Sequence, residues 1–154
     1  MTSIVLITGA SGGIGRALAN QLHSQGLRVA VVGRDIDRLT DVDAALRIAA
    51  DITTPEGAEQ AIATCQESLG AAPSLLAHCV GSTLIAPLHR TSVQAYREVM
   101  RINLDSAVFM FQAWVSALQG GPGAAVMASS VVKSFLRYKG LLNIFTWITT
   151  IPRR

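Results

Sequence analysis

Ile4-Val5-Leu6-Ile7-Thr8-Gly9-Ala10-Ser11-Gly12-Gly13-Ile14-Gly15-Arg16 is the stretch from which the rest of the chain can be read. Residues 4–7 are apolar without polar alternation, as a strand covered on both faces requires. Gly9, Gly13 and Gly15 follow at once, and behind them Ile14, Leu18 and Leu22 recur at helical period. Glycine at these places lets the backbone turn tightly and lie close to a ligand. The helix that begins there aims its free N–H groups and positive dipole end at an anion such as a pyrophosphate.

Working outward, short and mainly apolar runs return at residues 29–32, 46–50, 75–79 and 124–128, interrupted only by Arg47 and His78. Between these runs lie helical patterns: Ala58, Ala61, Ile62, Cys65 and Leu69 in one, and a long region from about residue 92 to 118 in another. The first opens on Thr53, Thr54, Pro55 and Glu56, a capping-box spacing with proline in the first turn. The second stops at Gly120, Gly121, Pro122 and Gly123. Strand and helix alternate, which predicts an α/β fold: a doubly wound parallel sheet of about five strands with helices on both faces and right-handed crossovers.

At 154 residues the chain fits one domain, and a mean hydropathy of +0.40 argues against disorder. Its formal charge of +3 is concentrated at one end: five of the 13 basic residues and none of the ten acids lie in residues 133–154. The body is therefore slightly acidic, which speaks against a nucleic-acid partner. Cys65 and Cys79 lack metal-ligand spacing and read as reduced thiols. Residues 4–7 are too short for a signal peptide or membrane span, so a cytoplasmic setting is expected. Composition changes near residue 132: the first 132 residues hold 22 alanines and no lysine, the last 22 hold both lysines and no alanine. Residues 1–132 are expected to form the nucleotide-binding unit. Residues 133–154 are expected to be a divergent tail from a shifted reading frame, a fusion junction or an alternative exon.

The spacing Thr8-Gly9-x-x-x-Gly13-x-Gly15 resembles the short-chain dehydrogenase/reductase family, and further landmarks follow in family order. Asp51-Ile52 is similar to the family's adenine-contacting position, and His78-Cys79-Val80-Gly81 to its Asn-Asn-Ala-Gly motif. Asn103, in Arg101-Ile102-Asn103-Leu104, matches the asparagine that supports a water in the proton relay. Ser130, in Ala128-Ser129-Ser130, matches the catalytic serine. The resemblance implies a Rossmann-like fold and a cofactor site built from Thr8, Gly9, Ser11, Gly13, Ile14, Gly15, Arg34, Asp51, Ile52 and Gly81. It further implies hydride transfer between nicotinamide and a small alcohol or carbonyl substrate, with Ser130 and Asn103 in the catalytic machinery, and it is compatible with a homo-oligomer. Read from residue type alone, Asp51 also fits a turn cap, Asn103 and Ser130 also fit structural roles, and His78 fits a satisfied strand-end histidine. His23 and His89 lack partner spacing and receive no role.

Cofactor preference is read at the end of the second strand. Gly33 stands where an NAD-preferring relative is expected to carry a carboxylate, and Arg34 follows. A guanidinium suits a 2′-phosphate, so NADP(H) is favoured over NAD(H). The alternative leaves Arg34 solvated, with Asp35 or Asp37 meeting the ribose; Arg16 either adds positive potential or is only surface. The family's chemistry uses a tyrosine and a lysine four residues later, whose cation lowers the phenol's pKa. No Tyr-x-x-x-Lys occurs in these 154 residues, and Tyr138 and Lys139 are adjacent and point about 100° apart on a helix. The expectation is therefore a truncated or frame-shifted oxidoreductase with impaired catalysis. A non-catalytic NADP(H)-binding or interaction module is the alternative. The apolar stretch 141–151 is too short for a bilayer and long enough to lie on a surface or cover an open sheet edge.

Overall fold

In the computed structural model, which describes residues 3–128, β1 (Ile4–Thr8), α1 (Gly13–Ser24), β2 (Arg28–Gly33), β3 (Leu46–Ala49), α2 (Pro55–Leu69), β4 (Leu75–His78), α3 (Val93–Met100), α4 (Ser106–Leu118) and β5 (Ala124–Met127) follow one another along the chain. The five strands form one sheet in the order β3-β2-β1-β4-β5, and every pairing is parallel. The chain runs outward from β1 to β3, then returns to the other side of β1 for β4 and β5. Connections leaving β1 and β4 therefore diverge, and a crevice opens beyond the carboxyl ends of these two strands. This is the Rossmann-like α/β sheet expected from the alternating pattern.

Side-chain alternation along β1 shows why its sequence does not alternate in polarity. Ile4 and Leu6 enter one core with Ala30, Val32, Ile48, Leu76 and the inner faces of α2 and α4. Val5 and Ile7 enter a second core with Val29, Val31 and Ala77, against which Leu18 and Leu22 of α1 pack. Both faces are covered, so every position of the strand is apolar. Trp114 fastens α4 to this body by donating its indole N–H to Pro73 O at 2.7 Å.

Two local details differ from the sequence reading. The N-cap of α2 is Thr54, whose hydroxyl accepts from Gly57 N at 3.1 Å; Thr53 instead turns back to Asp51. The position that would complete a capping box is thus Gly57, without a carboxylate, and only half of that motif exists. The long helical region contains a π-turn, Arg101–Asp105, between α3 and α4. Within it Ser106 N–H reaches back to Arg101 O, and the displaced Ile102 carbonyl accepts the Ser106 hydroxyl instead at 2.6 Å. Among the described residues no helix is long and apolar enough to cross a membrane.

Candidate functional site

The crevice at the strand ends is a cleft of about 220 Å3. Each strand from β1 to β4 delivers its following loop to it: Gly9, Ser11 and Gly12 after β1, Gly33 and Arg34 after β2, Asp51 and Ile52 after β3, and Cys79, Gly81 and Ser82 after β4. Of the residues the sequence singles out, the structure brings Gly9, Ser11, Arg34, Asp51, Ile52 and Gly81 together there. Val32, Ala50, Thr53, Cys79, Val80, Ser82 and Ile102 also line it and were not named as site residues from sequence, because apolar liners carry no chemical signature and a single hydroxyl or thiol has many other uses.

Gly9 has φ +72°, and a Cβ on it would lie 2.6 Å from Cys79 O, so the loops after β1 and β4 touch backbone to backbone. Gly15 sits behind the turn, where a Cβ would come 2.5 Å from Gly9 O. At Gly13, by contrast, a Cβ would meet no atom within 4 Å. Ile14 is exposed on the first turn of α1. That helix has no side-chain cap and no acid in its first turn, whereas Thr54 and Ser92 cap α2 and α3. The first amides of α1 consequently keep their unopposed positive character.

Thr8 lies behind the cleft, fully buried, with Oγ1 2.9 Å from His78 Nδ1 on the neighbouring strand. His78 Nε2 is 3.2 Å from Ser106 Oγ. Since Ser106 gives its one hydroxyl proton to Ile102 O, it must accept from Nε2–H, and Nδ1 accepts the Thr8 hydroxyl proton. The histidine is neutral and satisfied at both nitrogens, as the strand-end reading expected, and burial pushes its pKa down to about 4.

Asn103 falls in the π-turn, 7% exposed. Its Nδ2 donates to Ser82 O at 2.9 Å and Val99 O at 3.0 Å, and its Oδ1 accepts from Ser82 N at 2.9 Å. The amide thus clamps the loop after β4 to the helix, and Gly81, whose Cβ would stand 3.1 Å from that Oδ1, allows the approach. Ser130 and the tail 133–154, with Tyr138 and Lys139, lie outside the described residues.

The acidic end of the cleft is organised by Asp51. Its Oδ1 accepts from Thr53 N at 3.1 Å and from Thr53 Oγ1 at 2.6 Å. The Thr53 hydroxyl bond, seconded by Arg101 and Arg34, holds the carboxyl below its ordinary pKa. Asp35 accepts from Asp37 N at 3.0 Å in a local turn, and neither residue lines the cleft. Arg16 points away, toward Arg38 O. Arg34 is therefore the cleft's guanidinium and Asp51 its carboxylate among the described residues. No cluster of three or more His, Cys, Asp or Glu side chains capable of holding a metal occurs among them. A larger hollow of about 370 Å3 runs along the groove between α2 and α4, and the helix start it reaches, that of α2 at Pro55, is already capped by Thr54.

The family described as short chain dehydrogenase matches residues 3–141. This chain belongs to that family. The short-chain dehydrogenases are nicotinamide-dependent, and the glycine turn and strand-end cleft lie where their dinucleotide fold places a ligand. A cis-2,3-dihydrobiphenyl-2,3-diol dehydrogenase of Paraburkholderia xenovorans is 30% identical over 135 residues, covering 82% of this chain and 49% of the relative. An uncharacterized oxidoreductase of Staphylococcus aureus strain N315 is 26% identical over 116 residues, 71% of this chain and 50% of the relative. A short-chain dehydrogenase structure from Streptomyces avermitilis superposes with a TM-score of 0.77 at 25% identity, covering 84% of this chain and 50% of that one. An alcohol dehydrogenase from the archaeon Thermococcus sibiricus, complexed with 5-hydroxy-NADP, superposes at 0.77 with 23% identity over 91% of this chain and 63% of its own. The chain spans about half the length of the curated relatives it matches.

Proposed function

We propose that the cleft holds the adenosine and pyrophosphate of a nicotinamide dinucleotide, NADP(H) in preference to NAD(H). The chain is the cofactor-binding part of an oxidoreductase that moves hydride between nicotinamide and a small alcohol or carbonyl substrate. One observation carries the reading: glycine turn, uncapped helix start, guanidinium and carboxylate meet in one cleft at the strand-order reversal. The free amides at the start of α1, with Ser11 beside them, suit the pyrophosphate. The open space at Gly13 leaves room for its close approach. Arg34 suits a ribose 2′-phosphate, and the lack of a carboxylate at Gly33 removes repulsion toward it. Asp51 and Ile52 take the adenine, and Gly81 leaves room in the loop after β4. Thr8, Ile14 and Gly15 support the turn from behind. When bound, the dinucleotide supplies the hydride.

In this reading Asn103 positions the loop after β4 and Ser130 polarises the substrate oxygen. The family's proton-transferring pair has no counterpart in these 154 residues, so the chain on its own binds cofactor with little or no turnover. That same lack favours the second reading, a non-catalytic NADP(H)-binding module. No nucleic-acid partner accords with the body's charge, and a cytoplasmic setting accords with the free thiols of Cys65 and Cys79. The exposed Leu104, Val108 and Val115 on one helical path suit a homo-oligomer.

Titration with NADPH and NADH, read by thermal melting, tests the cofactor assignment. A ligand at about 100 times its dissociation constant adds about 2.7 kcal/mol of stability, and NADPH is expected to do so at lower concentration than NADH. Arg34→Ser is expected to weaken NADPH about tenfold and leave NADH unchanged. A melt that neither dinucleotide moves overturns the proposal, and carbonyl reduction by the purified chain that Ser130→Ala abolishes overturns the claim of impaired catalysis.

A further inference from the structure

The cleft's carboxylate is held by a side chain that does not line the cleft. Arg101, at the start of the π-turn, directs Nε and Nη2 to the two oxygens of Glu98, one turn earlier, at 2.9 and 2.8 Å. That fork fixes the plane of the guanidinium. Its remaining nitrogen, Nη1, bonds Thr53 Oγ1 and lies 3.5 Å from Asp51 Oδ2. Thr53 is 7% exposed and passes its own hydroxyl proton to Asp51 Oδ1, to which its backbone N–H also donates. A continuous chain therefore runs Glu98, Arg101, Thr53, Asp51, from helix α3 across to the loop after β3. Oδ1 is occupied by two donors, while Oδ2 has only the long ion pair with Arg101 among the described residues.

We propose that Arg101, braced by Glu98, is a positioning residue that fixes Asp51 as an ionised acceptor for the 6-amino group of adenine and so makes the cleft discriminate against six-oxo purines. The inference rests on the dinucleotide reading of the cleft. A carboxylate only accepts hydrogen bonds, so it attracts an amino group at purine C6 and repels a carbonyl there. The discrimination requires that the carboxylate neither protonate nor rotate away. The Thr53 donors fix one oxygen, and the guanidinium beside the other keeps the group charged and in place.

The test compares NADPH with its hypoxanthine counterpart, deamino-NADPH, on the full 154-residue chain, each titrated by its own nicotinamide fluorescence. The wild type is expected to prefer NADPH by about tenfold or more. Arg101→Gln is expected to reduce the ratio to within about threefold, chiefly by weakening NADPH. Glu98→Gln is expected to lower the ratio in the same direction, since the guanidinium loses its fixed fork, and Arg101→Lys to fall between, because a point charge restores the field without the geometry. Arg101 and Glu98 are both partly exposed, so these variants are expected to fold, and a ratio of two affinities is insensitive to a general loss of binding. An unchanged ratio in Arg101→Gln, an equal loss for both dinucleotides, or a wild type that binds both equally overturns the inference and leaves the dinucleotide reading standing. A wild type that binds neither overturns both.

Discussion

Gly9 and Gly13 stand four residues apart in one turn and are expected to respond to the same substitution in opposite ways. At Gly9 a methyl group would press on Cys79 O at 2.6 Å from a backbone held at φ +72°, and no side chain is there to yield. Gly9→Ala is expected to cost about 2 to 4 kcal/mol, read as a lower urea midpoint. Gly13→Ala meets only open space and replaces glycine by a better helix former. Its melting temperature should hold or rise, by up to about 1 kcal/mol in stability. Its affinity for NADPH should nevertheless fall about tenfold, because the added methyl enters the space left for the pyrophosphate. Wild-type affinity in Gly13→Ala would mean that this opening serves no ligand. The two thiols divide in a related way: burial raises Cys65 to about 11 and Cys79 more modestly, and Cys79 lines the cleft. Iodoacetamide at pH 8 is expected to label Cys79 far faster than Cys65, and NADPH to slow it. Equal labelling of the two would contradict the burial difference.

At the scale of elements, the relay from Thr8 through His78 to Ser106 ties β1, β4 and α4 together directly behind the cleft. Because burial depresses the folded pKa of His78 to about 4 while an unfolded histidine titrates near 6.5, the unfolded chain binds the extra proton between those values. The stability this residue contributes is complete above pH 6.5 and is lost as the pH falls toward 4, by about 3 kcal/mol in all. Asp51 is also depressed, but its contribution is present above the ordinary carboxylate range and lost only below it, so the two windows separate. Urea unfolding at pH 7.5, 6 and 5 should show the slope, and His78→Asn should flatten it while keeping a donor and an acceptor for Thr8 and Ser106. A wild type equally stable at pH 7.5 and 5 would place the imidazole in contact with water. Ser106→Ala leaves Nε2–H and Ile102 O without their partner and is expected to cost about 1 to 3 kcal/mol.

For the whole molecule, the parallel sheet covered on both faces was legible because β1 to β5 are short, mainly apolar runs separated by helical periods, and because the glycine spacing marks where the first crossover starts; the strand order came only from the structure. The cleft was legible where motif order and spacing single a residue out, as with Gly9, Arg34 and Asp51, each of which has other uses by residue type alone. It was hidden where position alone decides, as with Val32, Ser82 and Ile102, and where partners lie 48 residues apart, as with Arg101 and Thr53. The π-turn was equally hidden, since its sequence continues an ordinary helical pattern and only the Ser106 hydroxyl, substituting for a backbone donor, marks it. That turn sets the outward face of the helix that follows it. Leu104 within it and Val108 and Val115 beyond it are 46%, 42% and 51% exposed, with Tyr96 of α3 at 43%. Residues 104, 108 and 115 are spaced by one and two helical turns and share a face. An apolar stripe on a helix already anchored inward by Met110 and Trp114 has no further role in the core of the described body, and pairing with a second copy would withdraw it from water. Sedimentation of the wild type at tens of micromolar is expected to give the mass of a dimer. Val108→Lys combined with Val115→Lys is expected to give a monomer with an unchanged circular dichroism spectrum, since both side chains already face solvent in the single chain. A monomeric wild type, or a double variant that remains dimeric, would assign the stripe to something other than self-association.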